Sequence, residues 1–154
     1  MRTIRFAQAW AAWRARRKAG AAVIRVMIVS VDRYLAVLAG AGLGGLGRFI
    51  LGGWIAEKLG WTFPFGTFAI NVSGCFLIGI AMAALGARPE LNPNWRLFLV
   101  VGVLGGYTTF STFEFEAWRA ARDGQAWMSL AYLVSSVVAG YLAVWLGSRL
   151  AGQR

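Results

Sequence analysis

The chain has 154 residues, 58% of them hydrophobic and 14% charged, against roughly 25% charged in an ordinary soluble domain. Sixteen Lys and Arg face six Asp and Glu, a formal net charge of +10, and there is no histidine. This composition excludes histidine-based acid–base and nucleophile pairs and most zinc and copper sites; it leaves too little polar surface for a nucleic-acid-binding face and places the chain in a membrane.

Residues 1–31 carry Arg2, Arg5, Arg14, Arg16, Arg17, Lys18 and Arg25 with no acid, a charge of +7, while the other 123 residues contribute only +3. Phe6, Trp10 and Trp13 fall at i, i+4 and i+7, a spacing that suits a basic helix lying on a membrane surface. Arg25 interrupts the only stretch that could serve as a signal-peptide core. The segment is therefore expected to be a separate tail, disordered or usually not translated, with the working protein starting between Met27 and Val31 and residues 32–154 forming the membrane domain.

A helix crossing a hydrocarbon core needs about 20 mostly apolar residues. Four stretches qualify, over about 34–54, 63–85, 95–119 and 126–148. The first contains seven glycines; the second follows a turn at Gly60 and has Pro64 near its first turn, where proline is tolerated. Pro89 and Pro93 mark a loop before the third, and Arg122-Asp123-Gly124-Gln125 links the third to the fourth. Trp54, Trp61, Trp95, Trp118, Trp127 and Trp145 all fall near span ends, where indole rings favour the interface. The fold class is all-α, with both termini on one side of the bilayer. Four helices alone enclose too little to exclude water from a solute path, so a homodimer is expected. Gly40/Gly44 and Gly102/Gly106, each spaced i and i+4, permit close helix approach, either within the chain or against a second copy. Cys75 lies in an apolar run and reads as a small hydrophobe.

Thr67, Asn71 and Gly74 share one face of the second span, and Ser129, Tyr132 and Ser136 share one face of the fourth. Asparagine at this depth needs a partner, either another helix or a solute. The third span holds Gly105-Gly106-Tyr107-Thr108-Thr109-Phe110-Ser111-Thr112-Phe113, poor material for a continuous helix, and a break is expected there. Backbone carbonyls freed at such a break suit a cation. Phe110 and Phe113 sit within this polar segment, and an aromatic ring turned edge-on presents its positive rim to an anion. With Ser, Thr and Asn donors replacing water, this chemistry suits a small, hard, strongly hydrated anion.

These residues resemble the fluoride-specific ion channels of the Fluc (CrcB) family. The resemblance covers about residues 33–150 and rests on Gly44-Gly45-Leu46-Gly47-Arg48, on the run from Phe65 to Gly74, and on the run from Gly105 to Phe113. It implies an antiparallel homodimer of oppositely inserted subunits with two pores, passing fluoride passively down its gradient, a channel rather than an enzyme. It implies that Asn71 is the pore asparagine and that Phe110 and Phe113 meet fluoride through their ring edges. It further implies that Gly105 and Thr108 hold a structural Na⁺ through backbone carbonyls from both subunits. Ser111, Thr112, Tyr132 and Ser136 are expected along the fluoride pathway, and Glu116 at a pore mouth. Arg48 is expected to act as a structural anchor, snorkelling toward the end marked by Gly52-Gly53.

Loop charges outside the tail are nearly balanced: Arg33, Arg88, Arg96, Arg149 and Arg154 on the side of the termini, Lys58, Arg119 and Arg122 on the other. That balance is compatible with insertion both ways, whereas the tail would force one orientation. Two rivals are a proton-coupled small multidrug exporter, which would need a carboxylate inside the membrane, and a membrane scaffold without transport activity.

Overall fold

The computed structural model describes residues 2–60 and 63–152, with side chains from residue 31 onward. The fold is all-helical, and the expected spans are present: four helices are long and apolar enough to cross a membrane, over Val31–Leu59, Phe65–Gly86, Asn94–Arg122 and Ala126–Gly152. The first, third and fourth run up to five residues past their expected limits, as Lys58, Arg122 and Arg149 continue the helices beyond the apolar core, whereas the second starts two residues later, at Phe65, and ends at Gly86. Together the four spans make a multi-pass membrane protein.

The chain divides into two compact units, Met1–Leu35 and Ala36–Arg154. The first contains the start of helix α1 (Arg2–Leu59). The Phe6, Trp10 and Trp13 stripe expected there lies outside the described side chains.

In the second unit, α1 ends at Gly60, whose φ of +84° is accessible to glycine without strain. Pro64 then caps α2 (Phe65–Gly86), placing its missing N–H where a helix has no partner for one. The third span is assembled from pieces: α3 (Asn94–Arg96), a π-helical stretch (Leu97–Leu104), α4 (Gly105–Tyr107), two extended residues, and α5 (Phe110–Arg122). Gly124, at φ +82°, turns the chain into α6 (Ala126–Gly152).

Glycine contacts set how closely these helices approach. Gly40 and Gly102 face each other so tightly that a Cβ on either would come within 2.8 Å of the other's Cα. Gly44 lies against the Val103 carbonyl and the Tyr107 amide, and Gly106 against Ala41. Of the two uses open to these glycine pairs, the structure therefore shows packing within the chain. Gly79 and Gly147 bring α2 and α6 together in the same way, Gly79 against Val144 and Ser148, and Gly147 against Phe76 and Ile80.

Few large side chains are buried. Ile70, Leu104, Phe113, Ala117 and Tyr132 form most of the interior, and Phe63, Phe68 and Leu133 pack around Phe113 and Tyr132. Each span buries only 11–17% of its apolar window, so most of its surface is left for lipid or another chain. Trp54, Trp95, Trp118, Trp127 and Trp145 are all exposed near span ends, as interfacial anchors should be. Two of them are covered by a neighbouring cation: Arg122 lies 4.9 Å from the Trp118 ring and Arg149 lies 5.5 Å from that of Trp145.

Candidate functional site: a broken span clamped by an asparagine

The expected break falls at Thr108 and Thr109, whose backbones are extended (ψ 157° and 118°) between α4 and α5. Extended backbone at membrane depth must satisfy its polar groups locally. Asn71 does this from both ends of its amide: Nδ2 donates to the Thr109 carbonyl (3.0 Å) and Oδ1 accepts from the Thr109 N–H (2.9 Å). The Thr109 N–H is the group that would reach the Gly105 carbonyl in a continuous helix. Its capture by Asn71 takes that partner from Gly105, which is exposed.

Thr109 then opens the next helix. Its side chain caps α5 by accepting from the Thr112 N–H, and its hydroxyl donates to Thr112 Oγ1 (2.9 Å). On the other flank, the Thr108 hydroxyl donates to the Leu104 carbonyl (2.9 Å), closing the end of the preceding segment. Gly74 makes room for this turn, lying against the Thr108 and Tyr107 side chains. Ser73 and Tyr107 share a hydrogen bond of 2.9 Å across the same junction.

One helical turn beyond Asn71's level, a second cluster forms around Glu116. Thr67 donates to Oε1 and Tyr132 to Oε2, each at 2.9 Å, so hydroxyls from α2 and α6 hold both oxygens of one α5 carboxyl. Ser129 donates to the Ala117 carbonyl (2.7 Å), tying α6 to α5 directly. The polar stripes of the second and fourth spans thus both face the third. Ser136 extends the α6 stripe; its Oγ is buried and has no hydrogen-bond partner among the described residues.

Tyr132 and Phe113 are buried together, with rings edge-to-face at 4.9 Å, and Phe63 meets Tyr132 at 5.2 Å. Phe110 lies 6.0 Å from Phe113 but is 74% exposed, on the outer surface of this chain. Ser111 is exposed beside it.

A cleft of about 820 Å³ opens over Glu116, lined by Arg48, Thr67, Thr109, Thr112, Arg119 and Tyr132 among others. The candidate residues therefore fall into three places. Thr112, Glu116, Tyr132 and Arg48 meet at the cleft; Asn71, Thr108 and Gly105 build the break; Phe110 and Ser111 lie on the exterior. Arg48 is half-buried in the cleft wall and forms no ion pair among the described residues. Sequence reasoning missed Thr109 as the residue clamped and the Thr67–Glu116–Tyr132 bridge; the shared face of Thr67 and Asn71 was the available signal for both. It also missed Ser73–Tyr107, for which no pattern pointed across the junction.

The bridge predicts a modest cost for Tyr132→Phe. The variant keeps the buried ring and the Thr67 contact but strands one Glu116 oxygen, so stability should fall by about 1–2 kcal/mol. Thermal unfolding in detergent would register it; an unchanged midpoint would show that the cleft's water replaces the hydroxyl.

Comparisons with known proteins place the chain in a family. The family described as CrcB-like protein, Camphor Resistance (CrcB), matches residues 35–148. A fluoride-specific ion channel FluC of Acidobacterium capsulatum is 55% identical over 115 residues, covering 75% of this chain and 92% of that protein. Proteins of the same name from Solibacter usitatus and Rhizobium meliloti are 52% and 44% identical, covering 77% and 78% of this chain and 98% and 96% of their own lengths. With a match that spans its entire four-helix unit but for the last few residues, the chain belongs to the CrcB-like family.

Proposed function

We propose that this chain forms a fluoride-selective channel that lets F⁻ leave the cytoplasm passively and so limits fluoride toxicity. The observation that carries the reading is the clamped break in the third span, where hydroxyls and aromatic edges gather at membrane depth beside Phe113. A small anion entering the membrane must exchange its hydration shell for donors of this kind, held at weak rather than trapping strength. The unpartnered Ser136 hydroxyl is one such donor, and the Thr112 hydroxyl, which accepts from Thr109, keeps its own hydrogen; Tyr132, whose hydrogen goes to Glu116, lines the same cleft as Thr112. The names of the relatives supply the identity of the ion.

In this reading Thr112, Tyr132 and Ser136 line the fluoride pathway with Phe113, and Glu116 and Arg48 stand at its mouth, Arg48 serving chiefly as an anchor. Asn71 spends its carbonyl and one Nδ2 hydrogen on Thr109 and keeps the other hydrogen for the pathway. Phe110 and Ser111, exposed on one chain, complete the pathway against a second copy in an antiparallel homodimer with two pores.

A structural Na⁺ fits the break. The Gly105 carbonyl has lost its helical partner, and Gly105 is an exposed residue. The Gly105 and Thr108 carbonyls of two copies would hold the ion, which would supply charge to fix the facing breaks together. The protein acts as a channel and not as an enzyme.

Reconstitution into liposomes with a fluoride electrode tests the function. Rapid fluoride efflux that excludes chloride and needs no proton gradient is expected. Efflux that runs only with a proton gradient would favour the exporter reading, and absence of transport would favour a scaffold.

A further inference from the structure

The link between α1 and α2 adds a ring to the aromatic row of Phe110, Phe113 and Tyr132. Phe63 lies just before α2, and its carbonyl accepts from the Phe65 N–H at 2.7 Å across Pro64, whose φ of −76° and ψ of 62° make an inverse γ-turn. The pyrrolidine ring fixes φ in this range, and the Phe68 N–H donates to the Pro64 carbonyl at 3.0 Å to begin α2 from the same residue. The turn therefore leaves the Phe63 backbone little freedom. Its half-buried ring stands edge-to-face against Tyr132 (5.2 Å, 79°) and against Phe68 (5.9 Å, 69°).

Tyr132 has a second edge-to-face contact, with Phe113 at 4.9 Å and 70°, and is only 1% exposed. Two phenylalanines from different elements thus hold one tyrosine ring, whose hydroxyl donates to Glu116 at 2.9 Å. A single hydrogen bond at the tip leaves the side-chain torsions weakly restrained, whereas packed rings restrain the whole side chain. Phe63 and Tyr132 both line the cleft over Glu116, so loss of the Phe63 ring opens space into which Tyr132 can turn, taking its hydroxyl off the carboxyl.

We propose that Phe63 is a positioning residue of the fluoride pathway: set by the Pro64 turn, its ring holds Tyr132 in the orientation in which the hydroxyl reaches Glu116. The effect on transport rests on the proposed fluoride channel; the effect on Tyr132 rests on the ring geometry alone. Edge-to-face pairs contribute beyond the apolar area they bury, so an aliphatic side chain at residue 63 does not replace the ring.

The full chain is reconstituted into liposomes loaded with potassium fluoride, and efflux is followed with a fluoride electrode. Phe63→Leu should slow efflux about three- to tenfold, and the conservative Phe63→Tyr, which keeps the ring, should retain at least about half of the wild-type rate. In a Tyr132→Phe background the hydroxyl is gone while both ring contacts remain, so there Phe63→Leu should change efflux by less than about twofold. A ring that only fills space would cost the same factor in both backgrounds, and that result, or unaltered efflux in Phe63→Leu, would overturn the proposal. The wild type, the two single variants and the double variant are also unfolded by heat in detergent. The fall in midpoint caused by Tyr132→Phe should shrink by at least about half when residue 63 is leucine, and equal falls in both backgrounds would overturn the proposal. This second cycle needs no transport, so a wild-type chain that passed no fluoride would count against the channel, and the unfolding midpoints would still decide whether Phe63 positions Tyr132.

Discussion

Replacing Asn71 with leucine should abolish fluoride efflux and lower the stability of the solubilised protein by about 2 kcal/mol or more. The substitution keeps the branching at Cγ, in a bulkier apolar side chain, but strands both the N–H and the carbonyl of Thr109, which Asn71 alone bridges across from α2. Each buried backbone group left without a partner costs roughly 1–3 kcal/mol, and hydrogen bonds between membrane helices sit at the lower end of that range. Two groups are lost together, and the extended turn that orients Phe110 and Phe113 loses its support. Asn71→Asp offers a graded comparison. Its carboxyl can still accept from the Thr109 N–H but cannot, when ionised, donate to the carbonyl, so an intermediate loss of stability is expected. Thermal unfolding in detergent, followed by tryptophan fluorescence, and fluoride flux from liposomes provide the two readouts. A leucine variant that unfolds at the wild-type temperature would show that the break holds without the amide.

Gly106→Val should prevent the first span from closing on the third. A Cβ at residue 106 would sit 2.6 Å from the carbonyl oxygen and 2.9 Å from the Cα of Ala41, and these are backbone atoms that cannot rotate aside. Overpacking of this kind usually costs about 1–3 kcal/mol where side chains can yield; here a whole helix must move, and the cost should lie at or above the top of that range. Little monodisperse protein is expected on size exclusion, with correspondingly weak flux. Gly86→Ala is the control: no atom lies within 4 Å of its Cβ position and its backbone is not left-handed, so stability should be unchanged or slightly raised. Equal yields from the two variants would show that α1 and the third span are free to separate.

The sequence by itself determined the membrane class, the four spans and the place where the third span breaks. Those features depend on local composition: a run of apolar residues is long enough to cross or it is not, and Gly105-Gly106 followed by Thr108-Thr109 resists continuous helix whatever surrounds it. Helical periodicity also placed Thr67 with Asn71, and Tyr132 with Ser136, on common faces. It could not say what those faces meet. Whether Asn71 would reach a solute or a backbone amide depended on how near α2 lies to Thr109, a distance set by Gly74 and by the glycine contacts that draw α1 onto the third span.

Only tertiary structure decided the rest. It turned the Gly40/Gly44 and Gly102/Gly106 pairs inward on each other, joined Thr67 and Tyr132 through Glu116, and separated the two phenylalanines, burying Phe113 against Tyr132 and leaving Phe110 on the outside. Two residues three apart on a helix share a side of it, yet a shallow bundle of four helices can cover one and expose the other. The physical reason is that spacing along a helix specifies direction only, whereas a contact also needs a partner at the right distance, and that distance is a property of how the helices pack.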